Sequence, residues 1–148
     1  MAKVKDLCLM TVLHVDDDIE VSNMFGHMFR INYPKHKILH AENGFDALVK
    51  TRQFNPDLFI LDICMPYVSG IQLAEEIVRE GYLGPIVFLS AYDDQQTIRM
   101  CKNTGCAGYF RKPIDFAALF YELDNTMVQI FLKRLEQGRA QRRALDRF

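Results

Sequence analysis

Five polar residues stand at the carboxyl ends of short apolar runs, and together they suit phosphoryl chemistry with a hard cation. Asp16 and Asp17 follow the first run, Asp62 the third, Ser90 the fourth and Lys112 the fifth. A cluster of carboxylate oxygens favours Mg2+. An ionised Asp62 can attack phosphorus and form an aspartyl phosphate. Lys112 would supply a second positive charge, and Ser90 a hydrogen-bond donor to a phosphoryl oxygen.

Each of these residues also has an ordinary structural explanation. An acid or a serine that follows a strand is commonly the N-cap of the next helix, and Asp18 fits that role because it precedes the first predicted helix. A lysine before proline is commonly a solvated surface residue. Five chemically matched residues at corresponding positions of the chain favour the functional interpretation.

The elements that must position these residues alternate between strand and helix along the chain. Leu58–Leu61 and Ile86–Leu89 are wholly apolar, as is typical of strands covered on both faces. Right-handed crossovers then give a three-layer, doubly wound α/β fold with a five-stranded parallel sheet. If strands 1, 3, 4 and 5 are neighbours, their carboxyl ends meet at one edge of the sheet, which we call the mouth. Strands are predicted at 11–15, 37–41, 58–61, 86–89 and 107–110, and helices at 19–31, 45–54, 70–79, 93–103 and 116–131.

Length and composition indicate one globular domain with a short appendage. The chain has 148 residues and a formal net charge of −1, which argues against a nucleic-acid footprint across the domain. No apolar stretch reaches the roughly 18–20 residues that a membrane span needs. The charged start, residues 1–6, precedes only a short apolar run, so no secretory signal is expected. The four cysteines lack Cys-x-x-Cys spacing, which predicts reduced thiols in a cytoplasmic protein.

Charge is unevenly distributed. Residues 131–148 hold six bases and two acids, and the preceding residues hold 12 bases and 17 acids. Residues 132–148 are therefore predicted to be a basic helical extension of the last helix, or a linker toward an effector domain, with Gly138 as the point of a break. A solvated helix face and a docking surface for an acidic partner or nucleic acid both remain open for it.

Four segments together resemble the receiver domain of two-component response regulators. They are 12–18, 61–66 with Gly70, 88–91 and 108–113, and the resemblance covers a domain at residues 8–131. It implies a CheY-like, flavodoxin-like sheet with strand order 2-1-3-4-5.

The resemblance also implies a role for each site residue. Asp62 is the expected phosphoacceptor, and Ser90 and Tyr109 are the expected switch pair. Lys112 is expected to pair with the phosphorylated site and to precede a cis bond to Pro113. The Mg2+ ligands that the resemblance implies are the side chains of Asp16, Asp17 and Asp62 and the backbone carbonyl of Cys64.

A receiver of this kind would be a switch in a phosphorelay and not a turnover enzyme. Its phosphoryl donor would be a histidine kinase or the phosphohistidine of a phosphotransfer domain. Phosphorylation would change the face formed by the fourth helix, fifth strand and fifth helix. That face would bind an effector protein or a C-terminal domain, or form a homodimer. Neither a membrane nor direct nucleic-acid binding is expected of this chain.

Two alternatives and two local questions stay open. Haloacid-dehalogenase-type phosphohydrolases share an aspartate nucleophile, but Glu20 stands where their Asp-x-Asp start is followed by Thr or Val. A phosphorylation-independent receiver-like module would not need the complete set of site residues. Tyr92 either hinders water attack on the phosphorylated site or lies on a solvated loop. Cys64 is either oxidisable or an inert thiol.

Overall fold

Strands and helices alternate along the described part of the chain, as the sequence predicts. The computed structural model describes Asp6 and residues 8–147, so the start of the chain, which carries the expectation about a secretory signal, lies largely outside the described residues. The strands are β1 (Thr11–Val15), β2 (Lys37–Ala41), β3 (Leu58–Asp62), β4 (Ile86–Ser90) and β5 (Gly108–Arg111). The helices are α1 (Ile19–Asn32), α2 (Gly44–Phe54), α3 (Gly70–Arg79), α4 (Gln95–Asn103) and α5 (Phe116–Leu145).

The five strands form one parallel sheet in the order β2-β1-β3-β4-β5, which confirms the predicted topology. Successive side chains of a strand point to opposite faces. Leu13 therefore packs in a core with residues of α2, α3 and α4, whereas Val12 packs in a second core with residues of α1 and α5. This three-layer arrangement brings the ends of β1, β3, β4 and β5 to one edge of the sheet.

Every helix begins at a side chain that accepts hydrogen bonds from its first turn. Asp18 accepts from the amides of Glu20 and Val21, so it is the predicted cap. The other N-caps are Asn43, Ser69, Asp94 and Asp115. Because Asp18 caps α1, the carboxylates of Asp16 and Asp17 remain for the mouth of the sheet.

The bounds of several elements differ from the prediction. β3 and β4 are one residue longer and end on Asp62 and Ser90 themselves. α4 begins at Gln95 because Asp94 is its cap. α5 runs without a break through Gly138, so the break suggested there is wrong. The division at residue 131 remains a prediction. Within residues 8–147 no helix has the length and apolar content to cross a membrane.

Candidate functional site

Three carboxylates converge at the carboxyl edge of the sheet. Asp62 is the last residue of β3, and Asp16 and Asp17 follow β1. One oxygen from each of these residues lies within 4.8 Å of the other two. Asp16 and Asp62 are buried, whereas Asp17 is exposed. The donor set consists of oxygens and is open to solvent on one side, which fits Mg2+.

Lys112 links the two buried carboxylates. Its Nζ lies 2.7 Å from Asp16 Oδ2 and 3.4 Å from Asp62 Oδ2. The backbone also contributes, because the amide of Asp18 donates to Asp16 Oδ1 at 2.9 Å and the amide of Cys64 donates to Asp62 Oδ1 at 3.3 Å. These contacts hold the two side chains at the mouth.

The site carries more negative than positive charge. Burial, and then the charge of Asp16, raise the pKa of Asp62 to about 6, against the opposing effects of Lys112 and the Cys64 amide. Burial lowers the pKa of Lys112, but its hydrogen bond to Asp16 and the charges of both acids outweigh burial and raise it. One ammonium therefore faces three carboxylates, and an added cation would reduce their repulsion.

Gly70 allows the first residue of α3 to lie against the backbone at the end of β3. A Cβ at this position would lie 2.2 Å from the carbonyl oxygen of Asp62, so no other residue fits without a shift of the backbone. The amide of Gly70 donates to the carbonyl of Ile63 at 3.0 Å, which closes the turn. Gly70 belongs to the receiver-like pattern of the sequence, and this close approach is the physical reason for a glycine there.

Ser90 and Tyr109 are linked through the backbone of Tyr92. The Ser90 side chain is buried, and its Oγ accepts from the Tyr92 amide at 3.0 Å. The hydroxyl of Tyr109 donates to the carbonyl oxygen of the same residue. The Tyr92 side chain is exposed. No sequence signal marks this link, because the shared groups belong to the main chain and not to a side-chain type.

The structure brings together most of the predicted site residues. Asp16, Asp17, Asp62 and Lys112 meet, and Ser90 ends the neighbouring strand. The bond between Lys112 and Pro113 is cis, as the resemblance implies. The metal role of the Cys64 carbonyl remains a prediction.

The four cysteines are free thiols. Burial, and then the charge of Asp62, raise the pKa of Cys64. A raised pKa disfavours the reactive thiolate, which supports the interpretation of Cys64 as an inert thiol.

A histidine pair near the site, one ring of it fully buried, was not predicted from the sequence. His14 is fully buried, stacks on Phe25 at 4.3 Å between ring centroids, and places its Nδ1 3.1 Å from Nδ1 of His40. Burial, and then nearby positively charged or titratable side chains, lower the pKa of both rings. A signal existed, because each histidine is the fourth residue of its strand and the two are paired in register.

Comparisons with known proteins agree with this site. Residues 12–124 match the family model described as the response regulator receiver domain. The transcriptional regulatory protein DpiA of Escherichia coli is 32% identical over 110 residues, which are 74% of this chain and 49% of DpiA. Protein PilH of Pseudomonas aeruginosa is 31% identical over 106 residues, which are 70% of this chain and 86% of PilH.

A solved structure shows the same fold. The CheY-like receiver domain protein of Methanospirillum hungatei superimposes with a TM-score of 0.78 at 18% identity, over 85% of this chain and 99% of that chain. The chain spans about half the length of DpiA, so the activity of DpiA as a whole protein is not transferred to it. With a family match over most of its length and an acidic pocket at the expected edge of the sheet, the chain belongs to the response regulator receiver domain family, whose members act in phosphorylation-dependent signalling.

Proposed function

We propose that this chain is a switch that accepts a phosphoryl group on Asp62 from the phosphohistidine of a histidine kinase or phosphotransfer domain. The observation that carries the proposal is the position of Asp62, which is buried at the mouth beside two further carboxylates and Lys112. Mg2+ would be held by Asp16, Asp17 and Asp62 and by the backbone carbonyl of Cys64. When bound, Mg2+ supplies the positive charge that lets a phosphoryl group approach three acids.

The transfer itself exchanges one bond for another. A carboxylate oxygen of Asp62 forms a bond to phosphorus while the phosphorus–nitrogen bond of the donor breaks, and the released imidazole takes up a proton from solvent. Lys112 already lies 3.4 Å from Asp62 Oδ2. Its ammonium is therefore within reach of the new phosphoryl oxygens.

The switch uses the contacts around Tyr92. The phosphoryl group adds about 1.5–2 negative charges and strong acceptor oxygens, which attract the hydroxyl of Ser90. Because Ser90 Oγ and the Tyr109 hydroxyl both bond the backbone of Tyr92, movement of Ser90 changes the position that Tyr109 prefers. The change reaches the face of α4, β5 and α5, which then binds an effector protein, a C-terminal domain or a second copy.

Catalysis by this chain is limited to its own phosphorylation and dephosphorylation. We expect Tyr92 to slow the second reaction by hindering in-line attack of water. Comparing autodephosphorylation of the wild type with Tyr92→Ala tests this expectation, since a faster variant supports it and an unchanged rate excludes it.

Intact mass spectrometry tests the main proposal. Acetyl phosphate with Mg2+ is expected to add a single phosphoryl group, and beryllofluoride to bind in a Mg2+-dependent way. Asp62→Asn is expected to abolish both. Steady turnover of a phosphomonoester would instead indicate a phosphohydrolase, and the absence of any adduct would exclude a phosphoacceptor.

A further inference from the structure

α5 carries a row of apolar side chains on the side turned away from the sheet. Tyr121, Leu132 and Leu135 are 70%, 46% and 42% exposed. Val128 and Phe131 are partly exposed. We call these five residues the outer stripe. The opposite side of α5 is buried in the domain and includes Leu119, Leu123 and Met127.

The spacing of the outer stripe is that of a helix–helix seam. Tyr121, Val128 and Leu135 are seven residues apart, and Phe131 and Leu132 fall between the last two at steps of three and four. Residues at these steps lie on one side of a helix and pack against a partner helix in a coiled-coil manner. The stripe therefore fits another helix better than a flat surface.

Arg134, on the side of α5 opposite the outer stripe, anchors the helix to its own domain. Arg134 bonds the carboxylate of Asp57 and donates to Cys8 Sγ at 2.9 Å. At Gly138 a Cβ would find no atom of the chain within 4 Å. The outer stripe thus lies open on a helix whose orientation is already fixed.

Charged residues on the same side of α5 select the direction of a partner helix. Asp124 precedes the apolar centre of the stripe, and Arg139 and Arg142 follow it. In a parallel pair of identical helices each of these residues would face its own copy, so like charges would oppose one another. Asp124 also accepts a hydrogen bond from the Tyr33 hydroxyl at 2.7 Å.

An antiparallel pair removes these conflicts. With a two-fold axis between Phe131 and Leu132, Val128 faces Leu135 of the second copy. Asp124 then faces Arg139, and Tyr121 faces Arg142, which brings a guanidinium to an aromatic ring. Each contact occurs twice, as a self-complementary interface requires.

We propose that a second copy of this chain binds along the outer stripe with its α5 antiparallel. The stripe contains none of the phosphorylation-site residues, so this dimer forms without phosphorylation. It differs from a phosphorylation-dependent use of the α4, β5 and α5 face. Failure of Asp62 to accept a phosphoryl group would leave this proposal unaffected, because the dimer is measured in the unphosphorylated chain.

Sedimentation of the unphosphorylated full chain tests the association. At about 50 µM, a concentration that detects a micromolar Kd, the mass is expected to be twice the 17.2 kDa of one chain. Leu132→Glu places a carboxylate at the centre of the stripe and is expected to weaken the dimer at least tenfold. Leu83→Glu is the matched control, since Leu83 is 88% exposed and lies outside the stripe, and this variant should remain dimeric.

A second substitution guards against a folding defect in the first. Arg139→Asp, at an exposed position, would face Asp124 of the second copy and should also weaken the dimer. Circular dichroism should show both variants as helical as the wild type. A wild-type chain that sediments as a monomer, or a Leu132→Glu variant that dimerises as strongly as the wild type, would overturn the proposal.

Cross-linking with a short bis-maleimide tests the direction. Leu132→Cys lies beside the two-fold axis and should cross-link two chains rapidly. Arg142→Cys should not cross-link above the level set by the four native cysteines, because its two copies would lie roughly 30 Å apart along an antiparallel pair. The unsubstituted chain gives that level. Equal cross-linking by both variants would show a parallel pair and overturn the proposed arrangement.

Discussion

Two aspartates at opposite ends of β3 have opposite surroundings. Asp57 immediately precedes the strand, where its Oδ2 accepts the amide of Thr11 at 2.8 Å and its Oδ1 pairs with Arg134. Asp62 ends the strand, where two other carboxylates crowd it and Lys112 is shared with Asp16. The same side chain is therefore satisfied at one edge of the sheet and left short of positive charge at the other.

The difference distinguishes a carboxylate that anchors the fold from one that is available for reaction. A carboxylate with complementary partners stabilises the fold and has little tendency to change state. A buried carboxylate among like charges opposes folding until a proton or a cation relieves the repulsion. Asp62 belongs to the second kind, and its surroundings fit the binding of a cation, which would also offset the charge of an incoming phosphoryl group.

The largest expected effect is on phosphorylation, which should distinguish Asp62 from Asp57. Asp62→Asn is expected to reduce labelling by acetyl phosphate and Mg2+ at least 100-fold, because the amide cannot act as the nucleophile. Asp57→Asn makes the same change at the other end of β3 and should retain labelling. Quantitative intact mass spectrometry measures both variants. Equal loss in the two would mean that the acceptor role does not belong to the crowded aspartate.

The next effect concerns the pH dependence of stability without Mg2+. The folded pKa of Asp62 is about 6, above the value of 3.8 for an unperturbed aspartate. The folded state then binds more protons between these values, so Asp62 favours folding below about pH 4 and loses that contribution as the pH rises through 6. Relative to Asp62→Asn, the wild type should lose about 2–3 kcal/mol of unfolding free energy over this window.

Urea unfolding in EDTA from pH 4 to 7.5 measures that difference. The two proteins should diverge as the pH rises, with Asp62→Asn the more stable at neutral pH. A constant difference across the range would show that Asp62 is not destabilised by its neighbours.

Replacing Asp57 should instead destabilise the folded protein, whereas replacing Asp62 stabilises it at neutral pH. Asp57→Ala leaves the Thr11 amide and Arg134 without their acceptor and is expected to reduce the unfolding free energy by about 2 kcal/mol. Arg134→Ala is the companion variant, which keeps the Thr11 contact and should lose less. Urea unfolding at pH 7 checks the order, and it is wrong if Asp57→Ala is as stable as the wild type.

The smallest effect is the gain from Mg2+. At ten times its Kd the ion should stabilise the wild type by about 1.4 kcal/mol through mass action. Asp17→Asn should lose this gain, whereas Asp18→Asn should retain it because asparagine is an equally good N-cap. Thermal unfolding with and without MgCl2 measures the three proteins. The assignment of Asp17 fails if its variant responds to Mg2+ like the wild type.

The sequence was sufficient to predict the carboxyl edge of the sheet, where Asp62 lies, because local patterns encode that edge. Apolar runs such as Leu58–Leu61 predict buried strands, and a parallel sheet brings their carboxyl ends together. Helix starts were predictable where a cap residue is present, as at Asp18. The break at Gly138 was wrong because one glycine lowers helix stability by only about 1 kcal/mol.

The contacts of Asp57 at the opposite edge of the sheet had no comparable signal in the sequence. Asp57 and Arg134 are 77 residues apart, and nothing near either residue indicates the pairing. The contacts of Tyr92 with Ser90 and Tyr109 use main-chain atoms, which composition does not reveal. Sequence reasoning therefore found the residues that share a strand end and missed those joined only by tertiary packing.

The length of α5 has a mechanical consequence. The helix begins four residues after Lys112, passes the Asp57 anchor at Arg134, and continues to Leu145. The part beyond Arg134 is about 16 Å long at 1.5 Å per residue, so a tilt of roughly 10° at that point displaces its tip by about 3 Å. An uninterrupted helix of this kind can therefore carry a small tilt near the mouth to a larger displacement past the opposite edge of the sheet.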